Sequence, residues 1–413
     1  MPPQAPRMVH ALAAFILLAC LPLHASAQAP SVDELRARLH AARAATPATV
    51  PDGTLVSIEH LITTASEIEA RHPTAAPLWR RRAGRYLDAV AAGRDPYVEE
   101  AGKITNRGYR SPVSTRLQGY AIYLPPGYDP SREYPLYIAL HGGSSNGNLF
   151  LGVVLGNNMD WLTYSQHLYD EYTPRWTPDW IVVAPTGFGQ MLWRWMAERD
   201  VLDVIADVER HYNVDPERVV LGGLSNGGVG AYTIGSRNAS RFSVVQAMAG
   251  APSWIYFAGG GSASVEVRKE LSRYSAMELA ENLTNTDFRF YHGRTDPGPM
   301  RPAFIDGFVE RLREKGLPSQ LTWYATGHDI LYLVHRHGNI YERLAPTRRN
   351  GKPAEVRLVT GDYRANRQHW VTATRITKYP DLARIDAKVD DEAVRVVTEN
   401  VTAFALDLRD APV

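Results

Sequence analysis

The stretch VVLGGLSNGGVGAY, residues 219–232, carries the strongest indication of a fold in this sequence. A short apolar run leads into five glycines that surround a single serine, Ser225, within nine positions. The pattern fits a plain turn between a strand and a helix. It also fits the G-x-S-x-G nucleophile elbow, in which a serine occupies a strained turn and Gly223 and Gly227 keep the neighbouring backbone free of clashes. The nucleophile elbow is favoured over the plain turn only if the rest of the chain supplies a base, an acid and oxyanion donors.

The residues around this stretch alternate between continuous apolar runs and helical patterns. Apolar runs that predict strands buried on both faces are YPLYIALHGG (134–143), WIVVAP (180–185), RVVLGGLS (218–225), FSVVQAMAG (242–250) and FRFYHG (288–293), and LTWYATG (321–327) ends the series. Helical patterns lie between them, and strands that alternate with helices predict an α/β fold, a mostly parallel sheet with helices on both faces. The segment RLQGYAIYLPPGY (116–128) alternates and ends at a proline turn, which predicts an antiparallel edge strand.

Both flanks of this region have a different pattern. Residues 31–96 predict helices, and Ser31 with Glu34 three residues later forms a helix-start signature. Beyond about residue 352, short alternating runs separated by turn residues predict an antiparallel β module of roughly five strands. The predicted organisation is a signal peptide (1–27), a helical N-terminal segment (28–100), an α/β domain (101–348) and a β-rich C-terminal module (349–413).

The first 27 residues have the composition of an export signal. They contain Arg7 and no acidic residue, an apolar run from Val9 to Leu23, and the small-residue sequence Ala25-Ser26-Ala27 that signal peptidases cleave. The run is too short for a membrane-spanning helix. A rival interpretation is a bacterial lipobox, since Leu17-Leu18-Ala19-Cys20 would place an acylated cysteine at a membrane. We favour cleavage after Ala27 and export to the periplasm or the medium.

Cysteine content and charge narrow the class of protein. Cys20 is the only cysteine, so the chain after Ala27 has no disulfide, no cysteine nucleophile and no cysteine metal ligand. Removal of Arg7 from the 45 basic residues leaves 44, against 44 acidic residues, which argues against nucleic acid or an anionic membrane as a partner. The histidines show no H-x-x-x-H or H-E-x-x-H pattern. We expect no metal, no other cofactor and no transmembrane span after signal cleavage.

Candidate catalytic groups fall at the carboxyl ends of the predicted strands, where such sheets carry them. Ser225 is the candidate nucleophile, and the helix that begins at Asn226 directs its first N–H groups and its dipole toward a developing oxyanion. In HGGSSNG (141–147), Gly142 and Gly143 either form a tight turn or let backbone N–H groups approach a substrate carbonyl as an oxyanion hole. His141 is interpreted as a buried structural residue of this loop.

The chain order Ser, Asp or Glu, His selects the acid and the base. Asp287 precedes its strand and Asp306 lies on a helix, whereas Asp296 lies just beyond the carboxyl end of the 288–293 strand and is the predicted acid. His328, on a glycine-preceded loop after the last strand, is the predicted base that takes the serine proton. Four further histidines that we considered as bases are predicted to be packed or surface residues; they are His292, His335, His337 and His369.

These motifs resemble those of the α/β-hydrolase superfamily. YAIYLPPGYDPSREYPLYIALHGG (120–143) resembles the start of the putative-esterase group, which includes feruloyl and acetylxylan esterases, esterase D and polyhydroxybutyrate depolymerase-like proteins. GLSNGG, HGRTD and GHD are similar to that group's nucleophile, acid and histidine motifs. The resemblance covers about residues 102–345. It implies an α/β-hydrolase fold and a secreted serine esterase without a cofactor, acting on a small-molecule or polymer-linked ester.

Two other functions remain as alternatives. SNGG also resembles the elbow of the prolyl oligopeptidase family, which predicts a serine peptidase, although the short helical segment before the sheet cannot build that family's β-propeller. A non-catalytic binding protein on a hydrolase scaffold is the second alternative, and the complete set of catalytic residues argues against it. Tryptophans on loops near the strand ends either are exposed and stack on a sugar ring or a phenolic acyl group, or only fill the space under long loops. They are Trp161, Trp176, Trp180 and the tryptophans of MLWRWM (191–196). The sequence does not assign an oligomeric state.

Overall fold

The computed structural model describes residues 28–45, 50–143, 145–157, 169, 171–189, 191–257, 262–336, 340–390 and 393–412. The predicted signal peptide with Cys20 lies outside these residues, as do Trp161 and His337. Within the described ranges, no helix is long and apolar enough to cross a membrane.

The described residues form a central sheet of eight strands. In chain order these are β1 (Ile104–Arg110), β2 (Leu117–Tyr123), β3 (Tyr134–Leu140), β4 (Ile181–Pro185), β5 (Val214–Leu224), β6 (Val244–Met248), β7 (Asp287–Gly293) and β8 (Gln320–Tyr324). Across the sheet they lie in the order β1-β2-β4-β3-β5-β6-β7-β8. β2 runs antiparallel to both β1 and β4, and the strands from β4 to β8 across the sheet are parallel. This is the α/β-hydrolase fold, so the predicted fold class is confirmed.

Helices cover both faces of the sheet. The helices of the described residues are α1 (Val32–Ala45), α2 (Asp52–Ile68), α3 (Ala75–Ala91), α4 (Pro96–Glu99), α5 (Gly147–Val154), α6 (Met196–His211), α7 (Asn226–Arg237), α8 (Trp254–Phe257), α9 (Val265–Ser272), α10 (Pro302–Glu314), α11 (Leu331–Arg336) and α12 (Ile340–Leu344). α6, α7 and α10 contribute to the core on one face, and α5, α11 and α12 to the core on the other. In β3, Leu136 and Ile138 face the first core while Tyr137 and Ala139 face the second. Because alternate side chains of a strand point to opposite faces, a continuous apolar run is what a doubly covered strand requires.

The edge of the sheet differs from the prediction. The expectation that residues 116–128 supply an edge strand is wrong, because β1 pairs with the outer side of β2 along its whole length. The segment ITNRGYR has no apolar alternation, and its Arg107 is fully buried. The guanidinium of Arg107 lies 4.7 Å from the ring centre of Tyr97 and 5.4 Å from that of Tyr212, and Nη1 donates to the Tyr212 hydroxyl at 3.0 Å. Residues distant in sequence therefore stabilise a strand that has no strand signal of its own.

The N-terminal helices pack against the β1–β2 hairpin. At the start of α1 the Glu34 N–H donates to Ser31 Oγ at 3.1 Å, as the sequence predicts. α2 carries His60 into a notch formed by Gly108 of β1 and Gly119 of β2, which face each other across the strand pair. A Cβ atom on either glycine would overlap the imidazole ring. The helical segment is thus fitted to the sheet edge by close contacts.

The C-terminal module contains two antiparallel sheets of three strands each in the described residues. Its strands are β9 (Glu355–Thr360), β10 (Arg367–Gln368), β11 (Val371–Ile376), β12 (Ala383–Asp390), β13 (Ala393–Glu399) and β14 (Val401–Leu406), ordered β10-β11-β14 and β13-β12-β9. The predicted antiparallel module is confirmed, with the two-residue β10 as an additional strand. Arg237 at the end of α7 donates to Glu198 at 2.8 Å and to Asp362 of the module at 3.2 Å, so a buried ion cluster joins the module to the α/β part.

Candidate active site

Ser225 lies at the turn between β5 and α7. Its backbone has φ 59° and ψ −118°, a left-handed conformation that costs about 1–3 kcal/mol for a residue other than glycine. The Ser225 N–H donates to the Met248 carbonyl at 2.9 Å, and the Ser225 carbonyl accepts from the Val229 N–H at 2.9 Å. These bonds hold the turn between the end of β6 and the first turn of α7. The predicted elbow geometry is present at this serine.

The glycines around Ser225 permit this sharp turn because other backbone atoms lie where their side chains would be. A Cβ on Gly223 would overlap the Gly227 carbonyl, and one on Gly227 would overlap the carbonyl of Leu140. A Cβ on Gly228 would overlap the Met248 carbonyl. The glycines that are conspicuous in the sequence are therefore required by the close approach of β3, α7 and β6.

We expect Gly227→Ala to lower the free energy of unfolding by at least about 3 kcal/mol, since the new methyl group meets a backbone carbonyl that cannot move away without distorting β3. Urea denaturation and the yield of soluble protein measure this. Gly307→Ala is the matched control, because Gly307 lies inside α10 with an ordinary 3.8 Å contact to the Met277 methyl group. That variant should be as stable as the parent or up to about 1 kcal/mol more stable. Equal stability of the two variants would contradict the packing argument.

The loop after β3 lies against the elbow. A Cβ built on Gly142 would lie 3.4 Å from Ser225 Cβ and 4.0 Å from Ser225 Oγ. A Cβ built on Gly143 would lie 3.1 Å from the side-chain Nδ2 of Asn226. The buried His141 contacts the Gly142 carbonyl through Nδ1 at 2.9 Å and the Thr186 carbonyl through Nε2 at 3.2 Å. Burial lowers the pKa of His141. This histidine links the ends of β3 and β4, in agreement with the structural role predicted for it.

Asp296 and His328 meet at the carboxyl ends of β7 and β8. His328 Nδ1 lies 2.9 Å from Asp296 Oδ2 and 3.0 Å from Oδ1. The Asp296 side chain is 1% exposed and that of His328 is 41% exposed. The two loops are joined by backbone bonds, since the Thr295 N–H donates to the Thr326 carbonyl at 3.1 Å. A buried carboxylate thus orients an imidazole whose other edge is accessible.

His292 is a second imidazole beside this carboxylate. Its Nε2 lies 2.7 Å from the Met300 carbonyl and 3.5 Å from Asp296 Oδ2. The side chain is buried at the end of β7, and burial is the main reason that its pKa is lowered. His292 is the packed residue that the sequence predicts, and it fixes the loop that presents Asp296.

The remaining candidates lie elsewhere. Asp287 is the first residue of β7, at the opposite end of that strand, where it accepts from Arg289, and Asp306 lies on α10. His369 is buried in the C-terminal module and His335 is buried on α11. The structure brings neither histidine into contact with the Asp296 carboxylate.

Burial of His335 predicts a pH-dependent stability. Desolvation, with the nearby Arg343 charge, lowers its pKa from 6.5 to about 3, and no described residue hydrogen-bonds to its ring nitrogens. Below pH 6.5 the unfolded chain binds a proton that the folded protein does not accept until about pH 3. Stability is therefore retained above pH 6.5 and falls by up to about 1.4 kcal/mol per pH unit as pH decreases through this window.

We expect His335→Leu to show a shallower loss of stability with decreasing pH than the parent, by about one bound proton, because leucine does not titrate. Urea denaturation at several pH values between 7 and 4 measures the slope. His40→Leu, on the exposed side of α1, is the control and should retain the steeper acid dependence. The same slope in the parent and in His335→Leu would show that burial of this imidazole does not set the dependence.

The tryptophans near the strand ends differ in how much of each side chain is exposed. Trp180 and Trp193 are buried, so the interpretation of these two as exposed stacking groups is wrong, and their burial agrees with the alternative that they fill space. Trp193 packs on the His141 ring at 4.9 Å, and its indole N–H donates to the His141 carbonyl at 3.2 Å. Trp195 is 45% exposed, and Trp176 is partly buried. Trp193 is a supporting residue of the site that the sequence does not reveal, because its contact with the loop after β3 depends on the path of residues 191–195.

No group of three or more His, Cys, Asp or Glu side chains suited to hold a metal ion occurs among the residues that the structure describes. The candidate site is described by Ser225 at the turn after β5, the His328–Asp296 pair and the backbone N–H groups at the start of α7. Such a set of groups is suited to nucleophilic acyl transfer.

Comparison with protein families gives a match to the family described as "Esterase: Putative esterase", over residues 114–329. The chain belongs to this family. The match covers just over half of the chain and includes Gly142, Ser225, Asp296 and His328, while α1 to α4 and the C-terminal module lie outside it. This esterase is accordingly a hydrolase of ester bonds.

Three solved structures are similar to parts of this esterase. A ferulic acid esterase shares 20% identity over 59% of this chain and 98% of its own, with a TM-score of 0.44. A thermostable esterase shares 18% identity over 60% of this chain and 64% of its own, with a TM-score of 0.40. A putative dipeptidyl aminopeptidase IV from Bacteroides ovatus shares 17% identity over 59% of this chain and 36% of its own, with a TM-score of 0.46.

Proposed function

We propose that the protein is an exported serine carboxylic-ester hydrolase that acts through an acyl-Ser225 intermediate, with Asp296 and His328 completing the triad. The observation that carries the proposal is the 2.9 Å contact between the buried Asp296 carboxylate and His328 Nδ1 on the loops after β7 and β8, in the sheet whose β5 ends at Ser225. The positive φ of Ser225 supports the same assignment, since strain of this kind concentrates at functional sites.

In the proposed reaction, Ser225 Oγ attacks the ester carbonyl carbon and His328 Nε2 takes the hydroxyl proton. Asp296 accepts the Nδ1–H hydrogen bond, fixes the tautomer and stabilises the imidazolium that forms. The tetrahedral intermediate collapses, the bond from carbon to the alcohol oxygen breaks, and His328 returns the proton to the leaving alcohol. A water molecule then attacks the acyl carbon while His328 takes its proton; the bond from carbon to Ser225 Oγ breaks, His328 returns the proton to Oγ, and the acid product leaves.

The proposed oxyanion hole consists of the Asn226 N–H and an N–H from the Gly142–Gly143 loop. The short distances from this loop to Ser225 and to the Asn226 side chain support the assignment. Asn226 is the first residue of α7, so the positive end of the helix dipole adds to the hydrogen bond at the developing negative charge.

The composition of residues 1–27 supports the proposal that the protein is exported. N-terminal sequencing of the protein recovered from its producing cells tests it, with Gln28 expected as the first residue. A mature chain that begins at an acylated Cys20 would instead show the lipobox interpretation to be correct.

A matched substrate panel tests the reaction. The purified protein is assayed with feruloyl, acetyl and butyryl esters beside prolyl and aminoacyl peptide substrates, and the best ester should exceed every peptide in kcat/KM. A peptide that exceeds the best ester would replace the proposal with the serine peptidase of prolyl oligopeptidase type. If the protein hydrolyses none of the substrates in the panel, a binding protein on a hydrolase scaffold is favoured.

A further inference from the structure

The N–H groups of Gly142 and Gly143, in the loop after β3, have no acceptor in the described part of the chain. Within those residues, no backbone or side-chain oxygen accepts a hydrogen bond from either of them. Gly142 is buried and Gly143 is partly buried, and buried N–H groups without a partner are rare in folded proteins. An N–H group left unpaired beside Ser225 can donate to a substrate oxygen. Its direction then matters, because a hydrogen bond weakens steeply as its angle becomes less linear.

Trp193 sets the orientation of the peptide unit that carries the Gly142 N–H. Its indole N–H donates to the His141 carbonyl at 3.2 Å. This carbonyl and the Gly142 N–H belong to one planar trans peptide unit, in which the C=O and the N–H point in opposite directions. A rotation of the unit would break the bond from Trp193. The hydrogen bond on the carbonyl side therefore fixes the direction of the N–H on the other side.

The Trp193 indole is itself enclosed by neighbours from three segments. Its ring centre lies 4.9 Å from that of His141. A Cβ on Gly187 would lie 2.7 Å from the indole, and a Cβ on Gly230 of α7 would lie 2.6 Å from it, so the ring occupies the space that both glycines leave open. The side chain is only 3% exposed. The position of this ring therefore depends on α7 and on the backbone of its own loop.

Trp193 belongs to the loop between β4 and α6, which we call the β4–α6 loop and which the structure describes at 186–189 and 191–195. Four residues other than glycine in these parts have a positive φ. They are Phe188 at 53°, Leu192 at 54°, Trp193 at 59° and Trp195 at 54°. A residue of this kind costs about 1–3 kcal/mol, and its conformation persists only where surrounding contacts enforce it. The strained backbone of the β4–α6 loop therefore needs an anchor.

Asp200 of α6 supplies an anchor at the start of the β4–α6 loop. Its Oδ2 accepts from the Gly187 N–H at 2.7 Å, and its Oδ1 accepts from the Tyr109 hydroxyl. The carboxylate is fully buried. Water cannot easily replace a buried acceptor, so removal of this side chain would leave the Gly187 N–H unpaired. Gly187 is also the residue against which the Trp193 ring packs, and the anchor thus acts directly beside Trp193.

We propose that Trp193 and Asp200 are positioning residues for the oxyanion hole. Trp193 orients the His141–Gly142 peptide unit, and Asp200 holds the loop that carries Trp193. The inference rests on the proposed function, because an oxyanion forms only if the protein catalyses acyl transfer. Loss of either contact should raise the energy of the transition state and leave substrate binding nearly unchanged, since the carbonyl oxygen becomes negatively charged only as the reaction proceeds.

Steady-state kinetics of the full mature chain with p-nitrophenyl acetate test both contacts. Trp193→Phe, which keeps a ring but removes the N–H, and Asp200→Ala should each lower kcat about 10- to 100-fold and change KM less than about threefold. Each should weaken inhibition by butylboronic acid by a similar factor, because the tetrahedral boronate on Ser225 places an oxygen where the oxyanion forms. Thermal melting verifies that the variants are folded.

A conservative variant and a matched control separate the hydrogen bond from the general effect of altering α6. Asp200→Asn keeps an oxygen that can accept from the Gly187 N–H, and it should restore kcat to within about threefold of the parent. Asp203→Ala is the control, because Asp203 is another buried aspartate of α6, whose carboxylate accepts from Arg199. It should retain kcat and boronate inhibition within about twofold.

Folded Trp193→Phe and Asp200→Ala proteins with the kcat of the parent would overturn the inference, and so would losses confined to KM. A lower melting temperature with unchanged boronate inhibition would show a purely structural role and would also overturn it. The same holds if Asp200→Asn is as inactive as Asp200→Ala, because the bond to Gly187 would then not explain the loss. Failure of the proposed function differs from these results. It would appear as absent turnover in the parent, or as turnover that survives Ser225→Ala.

Discussion

Replacing Ser225 with alanine is expected to lower kcat for p-nitrophenyl acetate by a factor on the order of 10⁴ or more. The methyl side chain cannot attack the carbonyl carbon, and the proposed mechanism then has no hydroxyl for the Asp296–His328 pair to activate. The backbone of the turn is unchanged, since alanine occupies the same space without the oxygen. Steady-state kinetics on the purified variant, with circular dichroism to verify the fold, measure the effect.

Labelling by a fluorophosphonate probe separates loss of the nucleophile from loss of structure. The parent should become covalently labelled at Ser225, and Ser225→Ala should not. Ser272→Ala, which removes a hydroxyl at the end of α9, is the matched control and should retain both labelling and turnover. A folded Ser225→Ala protein that still hydrolyses the ester would exclude Ser225 as the nucleophile.

Asp296→Asn is expected to lower kcat by about 10³- to 10⁴-fold, with a smaller effect on KM. An asparagine amide has the same shape but no charge. It allows the tautomer in which His328 Nδ1 accepts and Nε2 carries the proton, so that Nε2 cannot act as the base. The carboxylate is almost completely buried and 2.9 Å from Nδ1, and solvent cannot substitute for it. Kinetics with the same ester measure the loss.

Asp306→Asn is the matched control for this charge removal, because Asp306 lies nearby in the chain but on α10. It should retain kcat within about twofold, since surface substitutions away from a site have small effects. Equal losses in the two variants would show that the local charge, and not the contact with His328, supports activity. A near-normal Asp296→Asn enzyme would remove Asp296 from the triad.

Local sequence pattern was sufficient to predict the sheet and the position of the elbow. A strand covered on both faces has to be apolar at every position, as β3 and residues 219–224 of β5 are, and this requirement is local to each segment. Three backbone segments approach each other closely at Ser225 and leave no room for side chains at Gly223 and Gly227. These two positions therefore require glycine, which is visible in the sequence. Chain order and strand ends then singled out Asp296 and His328, and the structure brings these two side chains into contact.

Features that depend on contacts between distant segments could not be predicted in this way. β1 has no strand pattern of its own, and it forms because Arg107 is enclosed by the rings of Tyr97 and Tyr212. The burial of Trp193 against His141 and the seating of His60 between two paired glycines depend on how separate elements meet. Periodicity reports which side of an element is buried, but the partner it meets is set by packing and by long-range hydrogen bonds. For this reason the sheet and the elbow could be predicted from local pattern, whereas the edge strand β1 and the contacts of Trp193 and His60 required the three-dimensional structure.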